Sequence, residues 1–185
     1  MAAISSHTYG AVLQRYRLLF EHARDIILFI DRDARIIEAN QAAEQAYGYS
    51  REELLRMTIY DLRAVETAPQ VADEMAQAEA RGITFETVHR RRDGSTFPVE
   101  VSARGATVGG QPTLLGIVRD ITERRRVEQE LERREREFRQ VLSSLPDIIT
   151  RFDRDLRYTF ISPNVERISG TPVSAYLGKT PRETG

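Results

Sequence analysis

Few side chains in this 185-residue sequence could carry chemistry, and the first to weigh are its three histidines. His89 sits within the alternating run Phe85-Glu86-Thr87-Val88-His89, a strand pattern in which every second residue shares a face. A neutral imidazole there is a competent iron ligand, so haem is one expectation. The plainer one is a histidine hydrogen-bonded within, or exposed on, a strand. His7 and His22 fall in a leading helical stretch and have less claim. There is no cysteine, which excludes disulfides, thiolate metal sites and cysteine nucleophiles, and fits a reducing compartment. The sequence has no phosphate-cradling glycine loop, no metal-ligand cluster of usual spacing and no nucleophile–base–acid series. No catalytic or metal-ligating residue is assigned, and the chain itself is not expected to be an enzyme.

Composition bounds the remaining options. Apolar residues make up 41% and charged residues 30%, enough for a soluble domain with a buried core. A formal net charge of −1 gives no reason to expect nucleic acid or an anionic membrane as partner. No apolar run is long enough to span a bilayer, and the first seven residues lack the pattern of a signal peptide. A cytoplasmic location is expected.

The chain also repeats itself. Offset by 122 positions, residues 16–58 lie over residues 138–180 without a gap, and twelve of these 43 pairs are identical. Asp25-Ile26-Ile27 falls on Asp147-Ile148-Ile149, Asp31-Arg32-Asp33 on Asp153-Arg154-Asp155, and Gly48 on Gly170. Register kept through a strand pair and a helix points to two copies of one module, the second holding only its early elements.

Residues 9–23 space their apolar side chains as a helix does. Residues 26–30 and 35–39 read as strands joined by the polar turn Asp31-Arg32-Asp33-Ala34. Asn40 is placed to cap a helix over 41–47 that ends at Gly48, and Ser50 with Glu53 makes a capping box for a second. Pro69 opens a longer helix with Val71, Met75 and Ala78 on one stripe, closed by Gly82. Residues 83–92 and 95–108 flank Asp93-Gly94, a strong hairpin signal, and a turn at Gly109-Gly110 leads to a last strand over 111–121. The order predicts an α+β fold: a five-stranded antiparallel sheet with short helices on one face, followed by a long helix.

In this order, the segments at 30–36, 39–43, 47–54, 90–95 and Asp120-Ile121-Thr122 resemble a PAS sensor domain. The resemblance covers roughly residues 10–122 and again 138–185, as in a bacterial signal-transduction protein with more than one PAS domain. It divides the chain into a helical cap (1–23), a PAS domain (24–122), a signalling helix (123–145) and the start of a second PAS domain (146–185). It implies a sensor of a small-molecule, redox or other intracellular signal. The helix would pass that signal to a histidine kinase of a two-component phosphorelay, a diguanylate cyclase or a transcription regulator, none of whose motifs is present. The alternative is a dimerisation and interaction domain that binds nothing small.

The resemblance also implies a cavity between helices and sheet. Its candidate lining is Phe29, Ala43, Tyr47, Met57, Leu62, Met75, Phe85, Thr87, Phe97, Val99, Leu115 and Ile117, any of which could equally be core filling. Haem-binding relatives supply their ligand from the long helix, which has no histidine here. Cysteinyl-flavin photochemistry is excluded for want of a cysteine, while a non-covalent flavin stays open. Asp120 and Thr122 sit where the last strand passes into the helix, so a pairing of Asp120 with an arginine would fix that junction and couple signal to output.

Residues 122–143 contain neither proline nor glycine. In heptads, Leu131, Phe138 and Leu145 take a positions and Val127 and Val141 d positions, with Arg124, Asp120 and Arg134 breaking the seam. A parallel homodimer through this helix is expected, the alternative being a single solvated helix held by i,i+4 pairs. Arg124-Arg125-Arg126 does not read as a DNA contact, because interleaved glutamates would repel phosphate.

Overall fold

The computed structural model describes residues 6–144 and 147–184, in two compact units spanning 1–124 and 125–185. Leu145, assigned to the helix seam, lies outside the described residues, as do residues 1–5, 146 and 185 of the expected segments.

The first unit starts with α1 (Ser6–Glu21) and the hairpin of β1 (Ile26–Ile30) and β2 (Ile36–Ala39). Chemistry local to the turn makes this hairpin. The Asp31 carboxylate accepts the N–H groups of Asp33 and Arg35, both at 2.9 Å, while Ala34 takes the left-handed conformation at φ 64°. Helix α2 (Gln41–Tyr47) is capped by Asn40, whose side chain accepts the Ala43 N–H, and ends at Gly48 with φ 78°. Helix α3 (Arg51–Leu54) carries the Ser50–Glu53 capping box. Two 3₁₀ turns follow, Ile59–Leu62 and Ala68–Gln70, before α4 (Val71–Arg81). Pro69 therefore sits in the second 3₁₀ turn, and α4 starts two residues later than the sequence suggests.

Strands β3 (Ile83–Arg90), β4 (Thr96–Val108) and β5 (Gln111–Asp120) complete an antiparallel sheet of order β2-β1-β5-β4-β3. Strand β3 stops at Arg90 instead of residue 92 because the chain turns toward α2, where the Arg92 N–H meets the Tyr47 carbonyl at 2.9 Å. The core fills the space between one sheet face and helices α2 to α4, with Leu28, Ala39, Ala43, Tyr47, Leu54, Leu62 and Val99 wholly buried. Gly105 lets α4 lie directly on β4. A Cβ there would stand 3.0 Å from both the Cα and the carbonyl oxygen of Glu79. Helix α5 (Thr122–Ser144) leaves the end of β5.

The second unit contains β6 (Thr150–Phe152) paired with β7 (Tyr158–Ile161), then α6 (Asn164–Ser169) and α7 (Pro181–Thr184). It repeats the local chemistry of the first unit at the same offset. The Asp153 carboxylate accepts the N–H groups of Asp155 and Arg157 at 2.9 Å, and Leu156 has φ 60°. Gly170 ends α6 with φ 72°, and the Thr58–Asp61 backbone cap recurs as Thr180–Glu183. The internal repeat is therefore structural as well as sequential.

Candidate functional site

Strand alternation decides which candidate residues meet. Tyr47, Ala43, Leu62, Phe97, Val99 and Thr87 are buried on the helix-covered side, with Met57, Met75 and Phe85 packed against them. Phe29, Leu115 and Ile117 are not among them. Leu28 and Ile30 take the core side of β1, so Phe29 points to the opposite face, where it meets Phe20 of α1 with ring centroids 6.0 Å apart. Leu115 pairs with Phe29 and Ile117 with Ile27, which puts both on that outer face, and Ile117 is exposed. The expected cavity lining is corrected for these three, and of the other nine only Met75 and Phe85 line the inner cavity described below, while Ala43, Tyr47, Met57, Leu62, Thr87, Phe97 and Val99 are core packing.

The core side holds a buried polar cluster. Tyr47 on α2 shares a 2.7 Å hydrogen bond between its hydroxyl and His89 Nδ1 on β3. His89 is 1% exposed, and burial, aided by the Arg63 charge, pushes its pKa down to about 3. The imidazole is thus neutral under ordinary conditions, and burial likewise raises the Tyr47 phenol. Arg63, after the first 3₁₀ turn, is 3% exposed. Its Nη1 donates to Thr87 Oγ1 and its Nη2 to the Glu74 carboxylate of α4, with the guanidinium 5.3 Å over the Phe85 ring. Burial lowers the Arg63 pKa and raises that of Glu74, each partly offset by the other's charge, as in a desolvated ion pair. Arg63 Nε is the one buried side-chain nitrogen or oxygen among the described residues without a hydrogen-bond partner.

Neither Arg63 nor Glu74 was singled out from the sequence. A signal existed for Glu74, which falls at i+3 on the Val71, Met75, Ala78 stripe, so a carboxylate on an apolar helix face implied a buried cation. Arg63 follows a short 3₁₀ turn with no periodicity to read.

A cavity of about 40 Å³ lies beside the pair, lined by Arg63, Glu74 and His89 and by apolar residues including Leu28, Val71, Phe85 and Val101. Met75 and Leu114 line both this cavity and an open groove of about 780 Å³ that runs past Tyr60, Glu79 and Gly105. Ligand sites commonly take roughly 300–1,000 Å³, so the inner cavity of about 40 Å³ has room for a water but not for a haem or flavin ring system. His89, the haem candidate, already has its Nδ1 engaged by Tyr47. No group of three or more potential metal ligands is found among the described residues.

From this cluster a contiguous set of contacts reaches α5. Phe97 packs against both Tyr47 and His89, with centroids 5.7 and 6.2 Å away. The Arg91 guanidinium stacks 3.7 Å above Phe97 and donates to the Ala46 carbonyl at the end of α2. It also donates to Asp120 Oδ2 at 3.2 Å, while Asp120 Oδ1 accepts the Thr122 N–H at 2.8 Å and so caps α5. The arginine expected opposite Asp120 is therefore Arg91. One turn on, Arg124 pairs with Glu86 and Glu100 of the outer sheet face.

Along α5 the side chains of Val127, Leu131, Phe138 and Val141 are all more than half exposed. The polar faces carry ion pairs from Arg133 to Glu130 and Glu137 and from Arg134 to Glu130. No described helix is long and apolar enough to cross a membrane.

Residues 24–123 match the family described as "PAS domain". Over 116 residues the chain is 33% identical to a methyl sulfide methyltransferase-associated sensor of Methanosarcina acetivorans, covering 62% of this chain and 12% of that protein. It is 27% identical to sporulation kinase E of Bacillus subtilis over 85% of this chain and 21% of the relative. The chain thus spans about a fifth or less of these relatives' length. Among solved structures, the PAS domain of an HTR-like protein from Haloarcula marismortui superposes with a TM-score of 0.58 at 31% identity, covering 62% of this chain and 96% of that one.

Proposed function

The chain belongs to the PAS domain family, and from that premise we propose that its first unit detects an intracellular small-molecule or redox signal and relays it through α5 to an output domain. The observation that carries this reading is the unbroken series Tyr47–His89, Phe97, Arg91 and Asp120, which joins the buried polar cluster to the cap of α5. A change in the cluster that moves Phe97 shifts the platform on which Arg91 stacks, and with it the carboxylate that fixes the first turn of the helix. The output would be a histidine kinase, as in the sporulation kinase relative, or a diguanylate cyclase or transcription regulator. The exposed residues Val127, Leu131, Phe138 and Val141 support pairing of α5 with a second copy in a cytoplasmic homodimer, in which a small rotation reaches the downstream domain.

Asp120→Ala tests the relay. Losing the cap and a half-exposed ion pair should cost only about 1 kcal/mol, so the sheet still melts cooperatively. Amide exchange at Thr122 should rise, and in a longer protein containing an output domain the response to signal should be lost. Normal regulation with an intact first turn would refute the relay.

The second reading, an interaction and dimerisation domain without a small ligand, is favoured by the cavity's volume of about 40 Å³. Native mass spectrometry with an absorbance scan on freshly purified protein separates the two. A bound small molecule or a visible band is the outcome expected of the sensor, and a colourless apo dimer that no added metabolite changes is the outcome expected of the interaction domain.

A further inference from the structure

Building on the sensor reading, we infer that the cavity under α4 recognises a short aliphatic carboxylate, which takes the place of the Glu74 carboxylate on the Arg63 guanidinium. Arg63 is 3% exposed and lines the cavity, but it is incompletely used there. Thr87 accepts from Nη1 and Glu74 from Nη2, while Nε has no partner. A guanidinium presents Nε–H and Nη–H side by side, in the spacing that a carboxylate accepts with both oxygens. An incoming carboxylate on Nε and Nη2 would make two such bonds where Glu74 makes one, and would satisfy the orphaned donor.

Charge favours exchange over addition. A second anion beside the existing pair would bury an unbalanced charge, whereas substitution keeps one cation and one anion in the site. Glu74 has somewhere to go. Its side chain keeps 16% of its surface in water, and its neighbour Met75 lines both the cavity and the open groove. Met75 has the flexible side chain suited to a gate between the two. The other walls, among them Leu28, Ile30, Val71, Ala78 and Leu114, offer an acid's methylenes an apolar surface. A cationic ligand meets repulsion from Arg63, and a neutral amide has one acceptor oxygen and no charge with which to displace Glu74. The space, about 40 Å³ plus what Glu74 vacates, keeps the acid short.

Exchange also supplies a signal. The Arg63–Glu74 bond ties α4 to the 3₁₀ turn and β3, and a ligand that replaces Glu74 binds only the form in which α4 is untied, which is the differential affinity that a switch requires.

The test titrates the wild type and Glu74→Gln with acetate, butyrate and hexanoate at neutral pH, with butyramide and butylamine as controls of matched length. Binding is followed by calorimetry and by the Arg63 Nε–H signal in NMR. The expected result is carboxylate binding at least about tenfold tighter than that of amide or amine, a shifted Nε–H signal, and affinity raised about tenfold more in Glu74→Gln, which has lost the competing charge. Arg63→Lys, which keeps the charge but not the fork, should lose this preference. Equal binding of amide and acid would overturn the carboxylate assignment while leaving a ligand-binding cavity intact. Weaker binding in Glu74→Gln would overturn the exchange, and no response to any probe in either protein would overturn the site, leaving the sensor reading to the native mass spectrum.

Discussion

Asn40→Ala is expected to lower the unfolding free energy of the first unit by about 3–5 kcal/mol, a large share of the stability of a domain this size. Asn40 is wholly buried and its amide is fully used. Its Oδ1 accepts the N–H groups of Ile27 at 3.0 Å and Ala43 at 3.1 Å, and its Nδ2 donates to the carbonyls of Asp25 at 3.0 Å and Phe20 at 3.1 Å. One side chain thus joins the end of α1, the start of β1 and the first turn of α2. Alanine would take this partner from three backbone groups, the Ile27 N–H and the Asp25 and Phe20 carbonyls, while the Ala43 N–H keeps the Asn40 backbone carbonyl at 3.0 Å; each group left unsatisfied costs about 1–3 kcal/mol before relaxation. The helix cap alone is worth only about 1 kcal/mol, so the excess measures the links to α1 and β1.

The repeat provides a control. At the matching position the second unit has Ser162, whose hydroxyl accepts the Ile149 N–H at 2.8 Å, while Asn164 donates to the Asp147 carbonyl. Asn40→Ser should therefore keep a bond to the Ile27 N–H, as Ser162 keeps one to Ile149, and lose less than alanine. Urea unfolding followed by circular dichroism reads both variants, and a loss below about 1 kcal/mol in Asn40→Ala would mean that the network is replaceable.

Asn40 also shows how far the sequence can be read. Its place before an apolar helical run made it legible as a cap, because capping depends on neighbours three residues away. Its bonds to Phe20, Asp25 and Ile27 span 13 to 20 positions and depend on how the hairpin folds back on α1, which no local pattern encodes. The turn at Asp31, the caps at Ser50 and Gly48 and the hairpin at Asp93-Gly94 were legible for the same local reason. The strand faces were only half legible. Alternation in Ile26-Ile27-Leu28-Phe29-Ile30 is hidden because every residue is apolar, and only the packing of α1 on the outer face decides that Phe29 belongs there. The polar cluster was the least legible part. Tyr47 and His89 stand 42 residues apart, and Arg63 reaches Glu74 and Thr87 from a segment without periodicity. Within it only Glu74, a charge on an apolar stripe, carries a local signal, and it was not singled out from the sequence.

The neutral His89 gives the fold a specific weakness to acid. Its pKa lies near 3 in the folded chain against an ordinary 6.5. Between those values the unfolded chain binds a proton that the folded one refuses, so stability is complete above about pH 6.5 and falls as the pH drops, by about 1.4 kcal/mol per unit. Glu74, whose pKa is raised by burial, works in the opposite sense, because its folded form takes up a proton before the unfolded chain does. That compensation acts above its ordinary value of 4.5, inside the histidine window. Glu53 and Asp93, whose carboxylates are held below their usual range by hydrogen bonds from Ser50 and Ser95, lose their contribution only at lower pH. Just below pH 6.5 the window lies farthest from the ordinary values of these carboxylates, and a histidine variant compared with the wild type isolates the histidine. There His89→Gln should remove the slope: glutamine can still hydrogen-bond Tyr47 but cannot take a proton. Urea midpoints measured in steps from pH 7 down to 5 should fall steadily in the wild type and stay nearly level in His89→Gln. Parallel slopes would mean that the folded chain accepts the proton freely, in which case the Tyr47–His89 contact is wetter and looser than its 2.7 Å bond implies.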